Sequence, residues 1–193
     1  MTAKPTLSGV TSAGIPVTLR PPRFSDAAAW RAVRLANQDC IEPYWDHSPQ
    51  SWPERHTVGA WLRECLKARR RMRRGAGLHF VIVVEGRLAG QCDAWIDRFH
   101  GRSELGLWVD SRQHGRGVAA AAGRLIVAQL FAEPGIERIA APIATGNTAT
   151  TQVAQRVGFV REGVLRQYMA IGSGQRHDHE LWSLTRDDWL SGP

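Results

Sequence analysis

Between residues 78 and 143 the hydrophobic period changes twice, and this restricts the possible folds more than any other feature. "LHFVIVVEGRLAGQCDAWID" is two apolar runs, 78–84 and 88–97, joined at Glu85-Gly86-Arg87, which reads as a β-hairpin. "SELGLWVD" adds a further strand over 103–109. The alanine-rich run 117–132 then reads as a helix, stopped by Pro134 and Gly135. "ERIAAPIA" returns to strand at 137–143 and is apolar almost throughout, as a central strand is. A meander that feeds a β-α-β crossover makes a mixed sheet with helices on both faces. The fold class is therefore α+β.

The flanking segments fit that frame. "PVTLR", 16–20, reads as a short strand, and Ser25 or Asp26 is placed to cap a helix whose face is Phe24, Ala27, Trp30 and Val33. "DCIEPYWDHSPQ" reads as a loop, marked by Pro43 and Pro49. Ser51 and Glu54 have capping-box spacing, and Val58, Trp61, Leu62, Cys65 and Leu66 repeat at helical intervals behind them. "NTATTQVAQRV" reads as a helix stopped by Gly158, and "FVREGVLR" and "HDHELWSLT" as a closing strand pair followed by a short tail. Residues 1–15 are polar, with no apolar core of a secretory signal, and read as a loose tail; residues 16–193 read as one domain.

Hydrophobic residues are 43% of the 193 and charged residues 22%, enough for a sizeable core. No apolar run approaches the roughly 18 residues of a membrane span. Cys40, Cys65 and Cys92 are far apart and form no CxxC, so they read as buried small hydrophobes in a reduced, cytoplasmic protein. Metal binding is not expected; "HDH", 177–179, offers two imidazoles on one strand face without a third ligand. The net charge is +7, and "KARRRMRR", 67–74, carries six basic residues in eight. That run is either a solvated helix end or a contact for an anionic partner such as RNA on a ribosome.

One stretch, "WVDSRQHGRGVAAAAGRL", 108–125, puts Arg112, Gly115, Arg116 and Gly117 at the mouth of a helix. The first amides of a helix have no intrahelical partner and its dipole is positive there. Glycine gives an anion room to approach. The stretch is either an anion cradle or a tight strand-to-helix turn, and it has neither the lysine-hydroxyl of a P-loop nor GxGxxG spacing.

"RQHGRG" resembles the R/Q-x-x-G-x-G/A signature of the GNAT superfamily of N-acetyltransferases. "GNTATTQVAQRVGFVREGVLR", 146–166, resembles the N-x-x-S/T…GF-x-x-EG-x-x-R block of its RimJ/RimL branch, and "GQRHDHELWSLT" the closing strand of that branch. The resemblance covers roughly residues 16 to 187. It implies a GNAT fold, with a mixed, mostly antiparallel sheet split between its fourth and fifth strands, here 103–109 and 137–143. It also implies a bulge in the fourth strand. Acetyl-CoA would lie in the split, its pyrophosphate on Arg112, Gln113, His114, Gly115, Arg116, Gly117 and Val118. Its pantetheine arm would pair with backbone at Leu107, Trp108 and Val109, and with Asn147, whose alternative role is to cap the helix that follows it. An amide in the same stretch would polarise the thioester carbonyl.

Catalytic roles follow from the resemblance residue by residue. Many members carry a tyrosine where this chain has Ala154; RimL-type members carry a serine where it has Thr150, which keeps the hydroxyl and becomes the candidate acid for the leaving thiolate. The alternative is a threonine that caps backbone. Glu104, on the fourth strand, is the candidate base, acting through a water, or is a surface carboxylate. Met169 occupies the position of a RimL-type glutamate, and Tyr168 is a weaker base candidate. A strong base is dispensable for a peptide α-amine, since with a pKa near ~7.8 roughly a quarter is neutral near pH ~7.4, against roughly 0.1% of a lysine.

The acceptor is expected beside the first two helices, where Glu42, Tyr44 and Trp45 are candidate contacts together with Tyr168; Asp39, Asp46, Glu54 and Trp52 lie in the same stretch. The expected substrate is a protein N-terminus, such as that of a ribosomal protein. Its rivals are a small-amine acetyltransferase for a polyamine or antibiotic and a non-catalytic acyl-CoA-binding module. A monomer and a dimer are equally compatible with the sequence, and no membrane partner is expected.

Overall fold

The structure is a computed structural model that describes residues 6–192. Eight strands form one sheet: β1 (Leu7–Val10), β2 (Pro16–Arg20), β3 (Gly77–Val84), β4 (Arg87–Asp97), β5 (Arg102–Val109), β6 (Arg138–Ala144), β7 (Val160–Ile171) and β8 (Gln175–Thr185). Seven α-helices accompany them: α1 (Ala27–Ala36), α2 (Gln38–Ile41), α3 (Trp52–Arg55), α4 (Val58–Arg73), α5 (Val118–Phe131), α6 (Thr148–Val157) and α7 (Arg186–Ser191). The sheet order is β1-β2-β3-β4-β5-β6-β8-β7, antiparallel everywhere except between β5 and β6. This is the mixed sheet expected of the meander and crossover.

β3 is apolar apart from His79 because both its faces are covered. Leu78, Phe80, Ile82 and Val84 face α5, while Val81 faces α1 and α4. The α5 side is the larger core and the other side is built around Trp30, Trp52, Trp61 and Trp108. Gly123 lets α5 approach α6 closely; a Cβ there would sit 2.9 Å from Val157 Cγ2.

β5 and β6 pair only over Arg102–Glu104 and Arg138–Ala140. Beyond that point both strands continue, to Val109 and Ala144, without pairing to each other. The split lies where it was expected; these strands are fifth and sixth because β1 precedes them. The expected bulge is absent from the β4–β5 ladder, which runs in one register from Asp97–Arg102 to Gly90–Val109. The divergence is therefore produced on the β6 side of β5.

Several sequence expectations are corrected. Residues 7–10 are not loose tail but β1, which pairs antiparallel with β2 through a turn closed by Thr11 N–H to the Ile15 carbonyl at 2.9 Å. Residues 1–5 and Pro193 lie outside the described residues. Neither Ser25 nor Asp26 caps α1 with its side chain; Asp26 instead accepts the Arg23 amide at 2.8 Å and the Arg20 fork at 2.7 and 2.8 Å. The Ser51–Glu54 capping box is formed, but it opens the four-residue α3, and Thr57 caps α4. On α4, Trp61, Cys65 and Ala68 are buried while Val58, Leu62 and Leu66 are exposed. The 39–50 loop contains α2 and a 3₁₀ turn at Glu42–Tyr44, and it is tied to β7 by His47 N–H to the Ala170 carbonyl at 3.0 Å. Cys40 is exposed, unlike Cys65 and Cys92, and the closing tail contains α7. No helix among the described residues is long and apolar enough to cross a membrane.

Candidate active site

The divergence of β5 and β6 opens a groove of about 1230 Å³ that runs from α1 and α4, across the sheet, to the first turns of α5 and α6. Leu107, Trp108, Val109, Gln113, His114, Gly115, Gly117, Val118, Asn147 and Thr150 all line it. The edge of β5 past Glu104 has no strand partner on the groove side among the described residues. Its backbone groups are therefore open to a ligand.

Gly117 stands before α5 at φ +77° and ψ 3°, left-handed geometry that a glycine adopts without strain. The turn is anchored from α1: Asn37 Oδ1 accepts the Ser111 amide at 2.7 Å and its Nδ2 donates to Asp110 at 3.2 Å. His114 holds the Val109 carbonyl at 3.3 Å. The first amides of α5 then face the groove without intrahelical partners. The two arginines are placed otherwise than expected. Arg112 forks Asp110 at 2.6 and 2.9 Å, and Arg116 binds Glu85 at 2.9 Å and Gln113 at 2.6 Å. Both line a separate cavity of about 270 Å³ and neither lines the groove. The groove side of this turn is lined by Gln113, His114, Gly115, Gly117 and Val118; against the burial that opposes it, Arg112 and Asn37 hold the Asp110 carboxyl below its ordinary value.

At the start of α6, Asn147 Oδ1 accepts the Thr150 amide at 3.2 Å and is the helix cap. Thr150 is half-buried, and its hydroxyl makes no hydrogen bond within the described protein. The backbone-capping alternative for Thr150 is thus already taken by Asn147. Ala154, one turn on, lines the groove and has no proton to give.

Register places the opposite end of the groove. Gln91, Asp93 and Trp95 of β4 stand beside Trp108, Gly106 and Glu104 of β5, and His79 of β3 stands beside Asp93. Gly106 sets no side chain beside Asp93; the nearest atom to a Cβ built there is Trp95 Cζ3 at 3.8 Å. Glu64 reaches in from α4, its Oε1 2.7 Å from Gln91 Nε2, while Gln91 Oε1 accepts both Trp30 at 2.7 Å and Trp108 at 3.2 Å. His79 Nδ1 lies 2.9 Å from Asp93. Burial pushes the Glu64 carboxyl above its ordinary value; Gln91 opposes the rise and Asp93 adds to it. Sequence reading missed Glu64, Gln91, Asp93 and His79, because each lies in a segment whose local pattern only reports helix or strand.

Of the acceptor candidates, Tyr44 and Trp45 line the groove. Glu42 does not, and is held by Gln38 at 2.6 Å. Tyr168 is set back behind His179, with ring centroids 5.3 Å apart. Glu104 does not line the groove either; it stands at the fork on the last paired residue of β5, where burial raises its pKa.

His56 is a buried neutral imidazole in the same wall, 2.7 Å from the Trp52 carbonyl. Burial pushes its pKa down to about 4, the carbonyl opposes this, and Arg34 and Arg55 add to the fall. The unfolded chain, titrating near 6.5, therefore binds more protons between pH 6.5 and 4, and stability falls as pH falls through that window. Urea unfolding at pH 7 and 4.5 is expected to show about 2 kcal/mol of acid loss that His56→Asn removes. An equal acid loss in the variant would show that His56 is not its source.

An acetyltransferase (GNAT) domain model matches residues 17–160. The chain belongs to the GNAT acetyltransferase family. Among solved structures, Mycobacterium smegmatis RimJ in complex with CoA-disulfide is 34% identical, with a TM-score of 0.88 over 95% of this chain and 88% of that one. YdaF of Bacillus subtilis is 29% identical over 58% of this chain, a segment spanning 62% of YdaF. The ribosomal-protein-serine acetyltransferase of Escherichia coli is 25% identical over 66% of this chain and 73% of its own length. The TM-score of 0.88 and the family match agree with the GNAT fold expected from the sequence, built in this chain as one eight-stranded mixed sheet.

Proposed function

We propose that this GNAT chain acetylates the N-terminal α-amine of a protein, with acetyl-CoA as co-substrate and ribosomal proteins as the acceptor class. One observation carries the reading: a single groove joins two different chemistries across the β5–β6 split. At one end are the backbone cradle of residues 113–118, the open edge of Leu107–Val109, and Asn147, whose Nδ2 is free of the cap bond. These fit the phosphates and amide arm of acetyl-CoA, which supplies an activated acetyl thioester. At the other end, Glu64 and Asp93 fit a cationic amine. The names of YdaF, a putative ribosomal N-acetyltransferase, and of the ribosomal-protein-serine acetyltransferase support the acceptor class.

Glu64 holds the ammonium and takes its proton, and Asp93, paired with His79, adds negative potential. Backbone amides of β5 polarise the carbonyl as the C–N bond forms. As the C–S bond breaks, Thr150 passes its hydroxyl proton to the departing sulfur and is reprotonated, through solvent, by the proton the new amide nitrogen loses. This leaves the amide, the CoA thiol and a protonated Glu64 that returns its proton to solvent. Because a good part of an α-amine is already neutral near pH 7, a modest base suffices. Glu104 is given no proton-transfer step, since it stands outside the groove.

Acetyl-CoA turnover on N-terminal peptides, polyamines and aminoglycosides tests the reading. Peptides with a free N-terminus are expected to turn over, and their N-acetylated forms are not. Preference for a polyamine would overturn it, and cofactor binding with no turnover on any amine would favour the non-catalytic module. Glu64→Gln keeps the Gln91 contact but removes the charge, and is expected to raise the peptide KM about ten-fold or more. An unchanged KM and kcat would remove Glu64 from the acceptor site.

A further inference from the structure

The acceptor end of the groove holds a buried charge with no polar partner. Arg34, on α1, is 2% exposed, and its Nε and Nη1 are buried without a hydrogen bond. Its guanidinium carbon lies 4.0 Å from the ring centroid of Trp45 and 4.6 Å from that of Trp108, with Trp52 at 5.5 Å and Trp30 at 5.9 Å. Cation–π contact stabilises the charge but uses ring faces, not N–H donors. Neither neighbouring carboxylate is within ion-pair distance of Arg34: Asp93 meets His79 at 2.9 Å and Glu64 meets Gln91 at 2.7 Å, each through one oxygen. Burial lowers the Arg34 pKa to about 10, with Glu64 and Asp93 opposing and Arg55 assisting, so the group stays cationic at neutral pH. Buried donors left unmade are costly, and because Arg34 is a lining residue of the groove, a ligand oxygen that moves in against its guanidinium would relieve that cost.

We propose that Arg34 seats a carboxylate carried by the acceptor, so that the preferred substrate is a protein N-terminus with an acidic side chain among its first residues. The inference rests on the acceptor assignment made under Proposed function and narrows it. A carboxylate accepts two parallel N–H bonds from a guanidinium and neutralises it. A backbone carbonyl does neither. With Glu64 and Asp93 holding the ammonium, the groove then presents two seats of opposite charge, which suits an N-terminus with a nearby acidic side chain. Lys67 and Arg71, one turn apart on α4, line the same end and make no ion pair among the described residues, so they extend the attraction to an acidic segment. A polyamine has no group that Arg34 can bind and is repelled by it.

The test uses the full chain with acetyl-CoA and peptide pairs that differ only by Asp against Asn, or Glu against Gln, at positions 1 to 3. Both kcat/KM and binding, read by tryptophan fluorescence from Trp45 and Trp108, are followed. The wild-type protein is expected to favour the acidic member at one position by about ten-fold, mainly through KM. Arg34→Met brings that ratio close to one, and Arg34→Lys retains part of it. A wild-type ratio near one at every position, or a ratio unchanged in Arg34→Met, overturns the proposal. If Arg34→Met does not fold, the wild-type pairs and Arg34→Lys carry the decision. If no peptide is acetylated, the acetylation reading fails while the fluorescence titrations still decide the carboxylate seat. Equal acetylation of both members leaves that reading standing and removes the seat.

Discussion

Thr150→Val is expected to lower kcat about a hundred-fold while the KM for acetyl-CoA changes by no more than a few-fold. The residue sits in the first turn of α6, on the groove, with its amide fixed by Asn147 at 3.2 Å. Its hydroxyl has no hydrogen bond in the described protein, so nothing competes for the proton it would give. Valine matches the shape of threonine and removes only the hydroxyl, and the helix cap does not depend on that group. The effect should therefore fall on chemistry rather than on binding, because the sulfur becomes basic only as the thioester breaks. Thr150→Ser should keep most of the activity. Steady-state kinetics with a good peptide acceptor decide it; a valine variant that turns over like the wild type would mean that solvent protonates the leaving group.

Trp61→Ala is expected to destabilise the fold by about 3–5 kcal/mol, which corresponds to a fall in Tm of roughly 10 °C for a chain of this size. Trp61 is 0% exposed, donates Nε1–H to the Arg23 carbonyl at 2.8 Å, and lies 4.9 Å from Trp30 between ring centroids. Trp30 in turn holds Gln91 at 2.7 Å, and Gln91 holds Glu64 at the same distance. Removing the Trp61 ring thus opens a cavity between α1 and α4 and loosens the acceptor wall. Urea unfolding measures the loss; Trp61→Phe should cost clearly less. A loss below about 1 kcal/mol would mean that α4 is held to the sheet by other contacts.

Much of the architecture is legible in the chain. The hairpin at Glu85-Gly86, the helix behind Gly117 and the stop at Gly158 are local events, written in period, turn residues and positive φ, and all three stand where the sequence places them. β1 was not legible, since "LSGV" has four residues of alternating half-exposure and forms only because β2 pairs with it. The α4 face was half legible: Trp61 and Cys65 are buried as their spacing suggests, but Leu62 and Leu66 are exposed because α1 covers only part of the stripe.

The cradle motif shows where local reading stops. Its glycines and helix start could be read from "RQHGRG", yet the destination of its arginines could not. Asp110 and Glu85 compete for those side chains, and only folding brings Glu85 within 2.9 Å of Arg116. Thr150 likewise was a candidate by position, while its unbonded hydroxyl depended on Asn147 taking the cap.

By itself the sequence determined the β3–β4 hairpin, β5, α5, β6 and α6 and the likeness to GNAT acetyltransferases, because those follow from short-range periodicity and contiguous motifs; the place of the split came only through that likeness. Only the tertiary structure decided the acceptor end of the groove. Arg34, Glu64, His79 and Asp93 come from four elements, and each looks ordinary along the chain. Sheet register and helix packing bring them together, and burial then makes their charges matter: a carboxylate raised at Glu64 and an arginine at 34 left with unused donors.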